Sequence, residues 1–155
     1  MFENFNVGII GAGRWGINHV KTAASLLPKS NITVCDSNAD TKFKLEEISK
    51  EINYTDNLNS ILENTSIKSV IIATPAETHY DVAKKCILKN KNVLIEKPIT
   101  LYLDEAKELV ELAYKQNVKI MVGHVLLYHP AVLKLKELIE AGKIGKLQYI
   151  YSNRL

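Results

Sequence analysis

The sequence predicts an α/β fold: a doubly wound, mostly parallel sheet with helices on both faces. Two observations carry this. Apolar runs of four or five residues alternate with helix-length stretches of 3.6-residue periodicity, and a glycine-rich turn stands where the first strand gives way to the first helix. Strands of continuous apolar character joined by helices belong in a parallel sheet covered on both sides, with right-handed crossovers.

The elements follow in order. Residues 6–10 predict a strand and residues 14–27 a helix, with Ile17, Val20, Ala24 and Leu27 on one face and Pro28 ending it. Residues 32–35 predict the second strand and 39–50 the second helix. Residues 58–63 predict a short third helix, with Asp56 placed to cap it. The rhythm repeats with a strand over 69–73 and a helix over 76–88 whose Val82, Ala83, Cys86 and Ile87 gather together. A strand over 92–95 follows, then a helix over 103–116 with Ala106, Leu109, Val110 and Ala113 on one side. Residues 118–122 predict one more strand, and 130–141 a helix with Pro130 at its start and Gly142 just past its end. Residues 146–155 alternate as a strand, read either as the first strand of a further domain or as an edge strand or frayed tail of this one.

Composition narrows the class. The 155 residues suit one domain, and 46% hydrophobic with 24% charged content is that of a globular protein, not a disordered one. The net charge of +3 comes from lysines interleaved with acids, as in Lys42, Lys44, Glu46 and Glu47, which reads as solvated helix faces. Nucleic-acid binding would call for a basic stripe or stacking aromatics, and neither is present. No apolar stretch approaches the ~20 residues that span a bilayer, and residues 1–6 lack a signal-peptide pattern. Cys35 and Cys86 lie inside apolar runs and read as small buried hydrophobes, so a cytoplasmic, reduced protein is expected. His19, His79, His124 and His129 have no paired ligand spacing, and no metal site is expected.

The turn after the first strand is Gly11-Ala12-Gly13-Arg14-Trp15-Gly16, a G-x-G-x-x-G between strand and helix. Gly11 permits the tight turn, Gly13 lets the backbone approach a pyrophosphate, and Gly16 lets helix and strand pack. The helix N-terminus then offers N–H groups and a positive dipole end to the phosphates. Asp36, at the end of the next strand, is placed to accept hydrogen bonds from the adenosine ribose. Its charge repels a 2′-phosphate, and Ser37 and Asn38 behind it bring no compensating cation. The cofactor expected is therefore NAD(H), held in a Rossmann domain.

Ligands of such sheets bind outside the carboxyl ends of the strands. There the chain carries Ala73-Thr74-Pro75 with His79 close behind, and Glu96-Lys97-Pro98. Together with the glycine turn these motifs resemble the Gfo/Idh/MocA oxidoreductases over essentially the whole chain. The stretches 123–130, which includes His124, Leu127 and Tyr128, and 144–154 look most like the branch acting at C3 of UDP-linked N-acetylated sugars or uronic acids.

That resemblance implies a division into an NAD-binding domain over 1–122, a connecting helix region over 123–145, and from 146 the start of a C-terminal α/β domain absent from the chain. The missing domain would hold a large open antiparallel sheet, much of the substrate site, a helix-borne histidine that works with the catalytic lysine, and the homo-oligomer contact. The resemblance implies that Lys97 is that lysine, orienting or protonating the hydroxyl that is oxidised. This agrees with the chemistry, since oxidising an alcohol needs a base for the hydroxyl proton and a partly desolvated lysine can serve. Otherwise Lys97 is an ordinary surface lysine. Glu96 is expected to hold Lys97 or the nicotinamide ribose, and Pro98 to fix a strained or cis turn. Ala73, Thr74 and Pro75 are expected to line the cofactor, or to start a helix with Thr74 as cap and Pro75 in first position, or both. His79 is expected either to be a satisfied core histidine or to face the cofactor, and His124 and Tyr128, which follow a strand end, to meet cofactor or substrate. His19 reads as a core or surface residue as readily as a functional one. Many relatives carry arginine where Leu127 stands, which leaves Arg14 and Lys97 as anion contacts.

The function expected is thus NAD-dependent oxidation of a ring alcohol on a sugar or UDP-sugar, with this chain as its cofactor half. The alternative is a stand-alone, non-catalytic NAD-binding module or subunit. A titration with both cofactors checks the acid at position 36: NADH is expected to bind more tightly than NADPH, and the reverse order contradicts its assigned role.

Overall fold

The computed structural model describes residues 4–153. It divides into two compact units, Met1–Gly123 and His124–Leu155. The first contains a six-stranded sheet of order β3-β2-β1-β4-β5-β6, with every neighbouring pair parallel. Its strands are β1 (Asn6–Ile10), β2 (Ile32–Cys35), β3 (Asn53–Thr55), β4 (Ile67–Ile72), β5 (Asn92–Ile95) and β6 (Ile120–Val122). The helices between them are α1 (Gly16–Leu26), α2 (Thr41–Glu46), α3 (Asn59–Leu62), α4 (His79–Leu88) and α5 (Leu103–Lys115). Strand order reverses between β1 and β4, the place where an open α/β sheet leaves a crevice for ligand.

Side-chain alternation along the strands builds two cores. Val7 and Ile9 of β1, with Ile32 and Val34 of β2, pack under Val20, Ala23 and Ala24 of α1 and Leu45 of α2. Ile10, Val70, Ile72, Val93 and Ile95 point to the opposite face, where Ala83, Cys86 and Ile87 of α4 and Leu109 and Ala113 of α5 cover them. α1 and α4 therefore lie on opposite faces of the sheet. Both cysteines are free and buried, and burial pushes the Cys86 thiol up to about 12, which keeps it protonated and inert. Lys91 is buried with its ammonium donating to the carbonyls of Asn64 and Ile67 at 2.9 and 2.8 Å, which ties the loop before β4 to β5. Burial holds its pKa below the usual lysine value.

Several expectations need correction. The strand β3 lies in a segment the apolar pattern leaves blank, because Asn-Tyr-Thr is a short edge strand paired on one side only. Asp56 does not cap α3: the helix begins after Leu58, and the Asn57 side chain accepts from the Asn59 N–H at 2.9 Å instead. Residues 76–88 are two pieces, a 3-10 turn over Ala76–Thr78 and then α4. Thr74 is accordingly no cap, and Pro75 precedes the turn instead of opening the helix. Val110 is 52% exposed, since the buried stripe of α5 runs through Leu109 and Ala113, with Leu112 packed beside it.

The second unit holds a 3-10 turn over Val125–Tyr128 and α6 (Pro130–Glu140). Proline stands at its first position and Gly142 follows with φ +66°. Residues 146–153 form no strand, and residues 154 and 155 lie outside the described part. Among the described residues no helix is long and apolar enough to cross a membrane.

The phase of α5 is testable. Leu109→Ala is expected to cost about 2–5 kcal/mol of stability and Val110→Ala less than about 0.5, read as shifts of the urea midpoint. Equal losses would place the buried stripe elsewhere.

Candidate functional site: a dinucleotide cleft at the carboxyl edge

The glycine turn is shaped by close backbone contacts. Gly11 has φ +86°, in the left-handed region, and a Cβ there would come within 2.8 Å of the Ala73 carbonyl. A Cβ on Gly16 would collide with the Gly11 carbonyl, so α1 can start against the turn only if residue 16 has no side chain. Gly13 differs: a Cβ there meets nothing within 4 Å and projects into open space. The protein itself does not need glycine at 13, and what benefits is anything that approaches the backbone from that space. α1 has no side-chain cap and no acid in its first turn, so its positive end is left for an anion.

Two cavities, of about 360 and 300 Å³, share Gly13, Ala73, Thr74 and Pro75 as walls. The larger runs from Gly11 to Asp36, Ser37, Asp56 and Leu58. The Asp36 carboxylate accepts from the N–H of Ala12 at 2.6 Å and of Asn38 at 2.8 Å, one bond on each oxygen. A carboxylate has about four acceptor positions, so each oxygen keeps one for ribose hydroxyls. The smaller cavity runs past Arg14 and Trp15 to Ala76, His79, Glu96 and Lys97. The Thr78 hydroxyl donates to the Pro75 carbonyl at 2.8 Å, so in its 2.7 Å contact with Thr74 Oγ1 it accepts the Thr74 proton, and Thr74 Oγ1 keeps its acceptor side for a ligand. The cleft thus has an acceptor end, a backbone waist beside an uncapped helix, and an end with a cation. That sequence of environments fits a dinucleotide laid across the switch point.

At that far end Lys97 is exposed, and its ammonium has no ion-pair or hydrogen-bond partner among the described residues. Glu96 is nearly buried: Oε1 lies 2.8 Å from Nε2 of His19, and Oε2 accepts from the Lys97 N–H at 3.2 Å. Gly123 leaves room for this carboxylate, since a Cβ there would stand 3.1 Å from it. The Lys97–Pro98 peptide is cis. His79 is 1% exposed with Nδ1 2.7 Å from the Pro98 carbonyl and Nε2 2.9 Å from that of Thr74. His124 belongs to the second unit and is exposed. The His19 to Glu96 contact and the room made by Gly123 were invisible in the sequence, because the partners stand far apart in the chain.

Fold and cleft together define a dinucleotide-binding oxidoreductase domain. A family model described as "Oxidoreductase family, NAD-binding Rossmann fold" matches residues 5–124. The chain belongs to this family, the Gfo/Idh/MocA oxidoreductases, whose cofactor is NAD. It is 33% identical over 152 residues to scyllo-inositol 2-dehydrogenase (NAD(+)) of Bacillus subtilis, covering 96% of this chain and 44% of that protein. It is 35% identical over 150 residues to Oxidoreductase P35 of Formosa agariphila, covering 95% and 46%. Among solved structures, the UDP-N-acetylglucosamine 3-dehydrogenase of Acidithiobacillus ferrooxidans superposes with a TM-score of 0.71 at 26% identity, over 85% of this chain and 42% of that one. The scyllo-inositol dehydrogenase of Lactobacillus casei, solved with NAD(H) and scyllo-inositol, has a TM-score of 0.80 at 20% identity, over 93% and 43%, and shares the fold. The chain spans less than half the length of these relatives.

The two glycines make opposite predictions. Gly13→Ala is expected to leave the thermal midpoint within a few degrees, about 1 kcal/mol, while weakening NADH binding roughly tenfold or more. Gly16→Ala is expected to lower both. A Gly13→Ala protein with unchanged NADH affinity by calorimetry contradicts a pyrophosphate at that backbone.

Proposed function

We propose that this chain is the NAD-binding half of a dehydrogenase that oxidises a secondary alcohol on the ring of a sugar or sugar nucleotide. The observation that carries it is an unpartnered ammonium, Lys97, at the end of β5 in the same cavity as Gly13 and Thr74. In this reading the N–H groups at Gly13 to Gly16 and the start of α1 receive the pyrophosphate, with Arg14 and Trp15 at its flank. Asp36 and Ser37 receive the adenosine ribose, and Ala73, Thr74, Pro75 and Glu96 line the nicotinamide side. Bound NAD supplies the hydride acceptor. Lys97 orients the hydroxyl and, as the neutral amine, takes its proton.

The residues 123–145 then form the link to that second domain and 146 onward its beginning, with the homo-oligomer contact on it. For the substrate, support comes from two directions. The similarity to an inositol dehydrogenase and to a UDP-N-acetylglucosamine dehydrogenase has one chemistry in common, a six-membered ring bearing secondary hydroxyls. The resemblance of the Gly123-His124-Val125-Leu126-Leu127-Tyr128-His129-Pro130 stretch to the branch acting at C3 of UDP-linked N-acetylated sugars or uronic acids supports a UDP-sugar. Buried free thiols and NAD dependence suit a cytoplasmic enzyme.

The test is to express the open reading frame that contains this chain and follow NADH formation with inositols, hexoses and UDP-N-acetyl sugars. Turnover of at least one ring alcohol is expected. Lys97→Met is expected to lower kcat by about 100-fold or more and to keep NADH affinity within about threefold. Undiminished turnover in Lys97→Met, or none with any ring alcohol, overturns the reading.

A further inference from the structure

Lys97 is the reacting side chain in the reading above, yet among the described residues its ammonium has no hydrogen-bond or ion-pair partner. Its placement is decided entirely by the backbone on either side, and a histidine meets that backbone from each side. His19, one turn into α1, reaches Glu96 Oε1 at 2.8 Å, and the other oxygen of that carboxylate accepts from the Lys97 N–H at 3.2 Å. His79, the first residue of α4, lies with Nδ1 2.7 Å from the Pro98 carbonyl. Because α1 and α4 cover opposite faces of the sheet, the two imidazoles arrive over its carboxyl edge from opposite directions.

His79 has no polar atom to spare. Its second nitrogen faces the Thr74 carbonyl at 2.9 Å and its ring is buried. A carbonyl only accepts and a neutral imidazole carries one N–H, so the ring donates to one of these carbonyls while both nitrogens face protein oxygens rather than the cleft. The ring instead joins the loop after β4 to the loop after β5, which are two walls of the nicotinamide-end cavity.

We propose that His19 and His79 are positioning residues, a brace that fixes the Lys97 backbone between the two helices, and that His79 acts through Nδ1 without touching the cofactor. The proposal rests on Lys97 being the reacting residue. It assigns the conserving and the disabling substitution at each site from geometry. An asparagine amide nitrogen falls where Nδ1 of histidine lies, and a glutamine amide nitrogen where Nε2 lies. His79→Asn therefore keeps the donor to Pro98 and His79→Gln loses it. At position 19, where Nε2 makes the contact, the order is reversed: His19→Gln keeps it and His19→Asn loses it.

The experiment labels the lysines of the full chain with a limiting acylating reagent and measures the rate at Lys97 by peptide mass spectrometry, with and without NADH. NADH affinity and thermal midpoint are measured on the same proteins. His79→Gln and His19→Asn are expected to change the Lys97 rate about tenfold, the equivalent of one buried hydrogen bond. His79→Asn and His19→Gln are expected to stay near wild type, and NADH affinity to hold within about threefold in all four. A role in packing alone would not exchange the preferred amide between the two sites. Equal effects of Asn and Gln at both positions, or a loss of NADH affinity in His79→Asn, overturns the brace. If NADH fails to protect Lys97 in the wild-type chain, the functional reading is what falls, while the rates without NADH still decide the brace. Should one variant not fold, the pair at the other histidine carries the same decision.

Discussion

How closely α1 can lie against the turn that follows β1 decides what the carboxyl edge of this sheet can hold. The contact is between the Cα of Gly16 and the carbonyl of Gly11, with no room for a methyl group between them. The turn itself is tied to both neighbouring strands: the Gly11 N–H donates to the Cys35 carbonyl and the Ala73 N–H to the Ile10 carbonyl, each at 2.8 Å. Helix, turn and two adjacent strand ends thus form one rigid corner. A side chain at residue 16 would lift the helix from that corner and carry its N-terminal N–H groups away from the place where Gly13 leaves space.

From this corner the cleft extends in two chemically different directions. Toward β2 it meets a carboxylate whose orientation is set by two backbone N–H groups before any ligand arrives, so little reorganisation remains for binding. Toward β5 it meets a lysine whose ammonium has no hydrogen-bond or ion-pair partner among the described residues and whose backbone is held. The difference suits the tasks proposed for Asp36 and Lys97. A ribose is recognised by fixed acceptors, whereas a group that handles a proton keeps its own nitrogen unengaged until substrate is present.

Much of this was legible beforehand where local chemistry decides. The strands β1, β2 and β5 begin and end where their apolar runs do, and α6 obeys its proline and glycine signals. The glycine turn was readable because its spacing between strand and helix is itself the signal: Gly11 takes a positive φ, Gly16 lies against the Gly11 carbonyl, and Gly13 is left open to the cleft. Where the deciding contact is tertiary, the sequence is silent. Asn53 to Thr55 has no apolar run and becomes a strand only because the β2 edge is available. Val110 satisfies the helical pattern yet faces solvent, since the neighbouring helix packs one step around on Leu109 and Leu112. His19 looks like any helix histidine until it is paired with a glutamate 77 residues away. His79 was expected at the cofactor, and it lies beside the cleft with both ring nitrogens facing backbone carbonyls, a pairing that no local pattern in the sequence announces.

The chain has a single tryptophan, Trp15, and it is half exposed on the wall of the cavity that also holds Lys97. Titrating the protein with NADH while exciting that indole measures most directly whether a dinucleotide lies along this cleft with its nicotinamide at the β5 end. Saturable transfer of the Trp15 emission to the dihydronicotinamide, complete at one NADH per chain, is the result this structure predicts. NADH binding with no transfer from Trp15 would contradict it, because the nicotinamide would then lie somewhere other than beside Lys97.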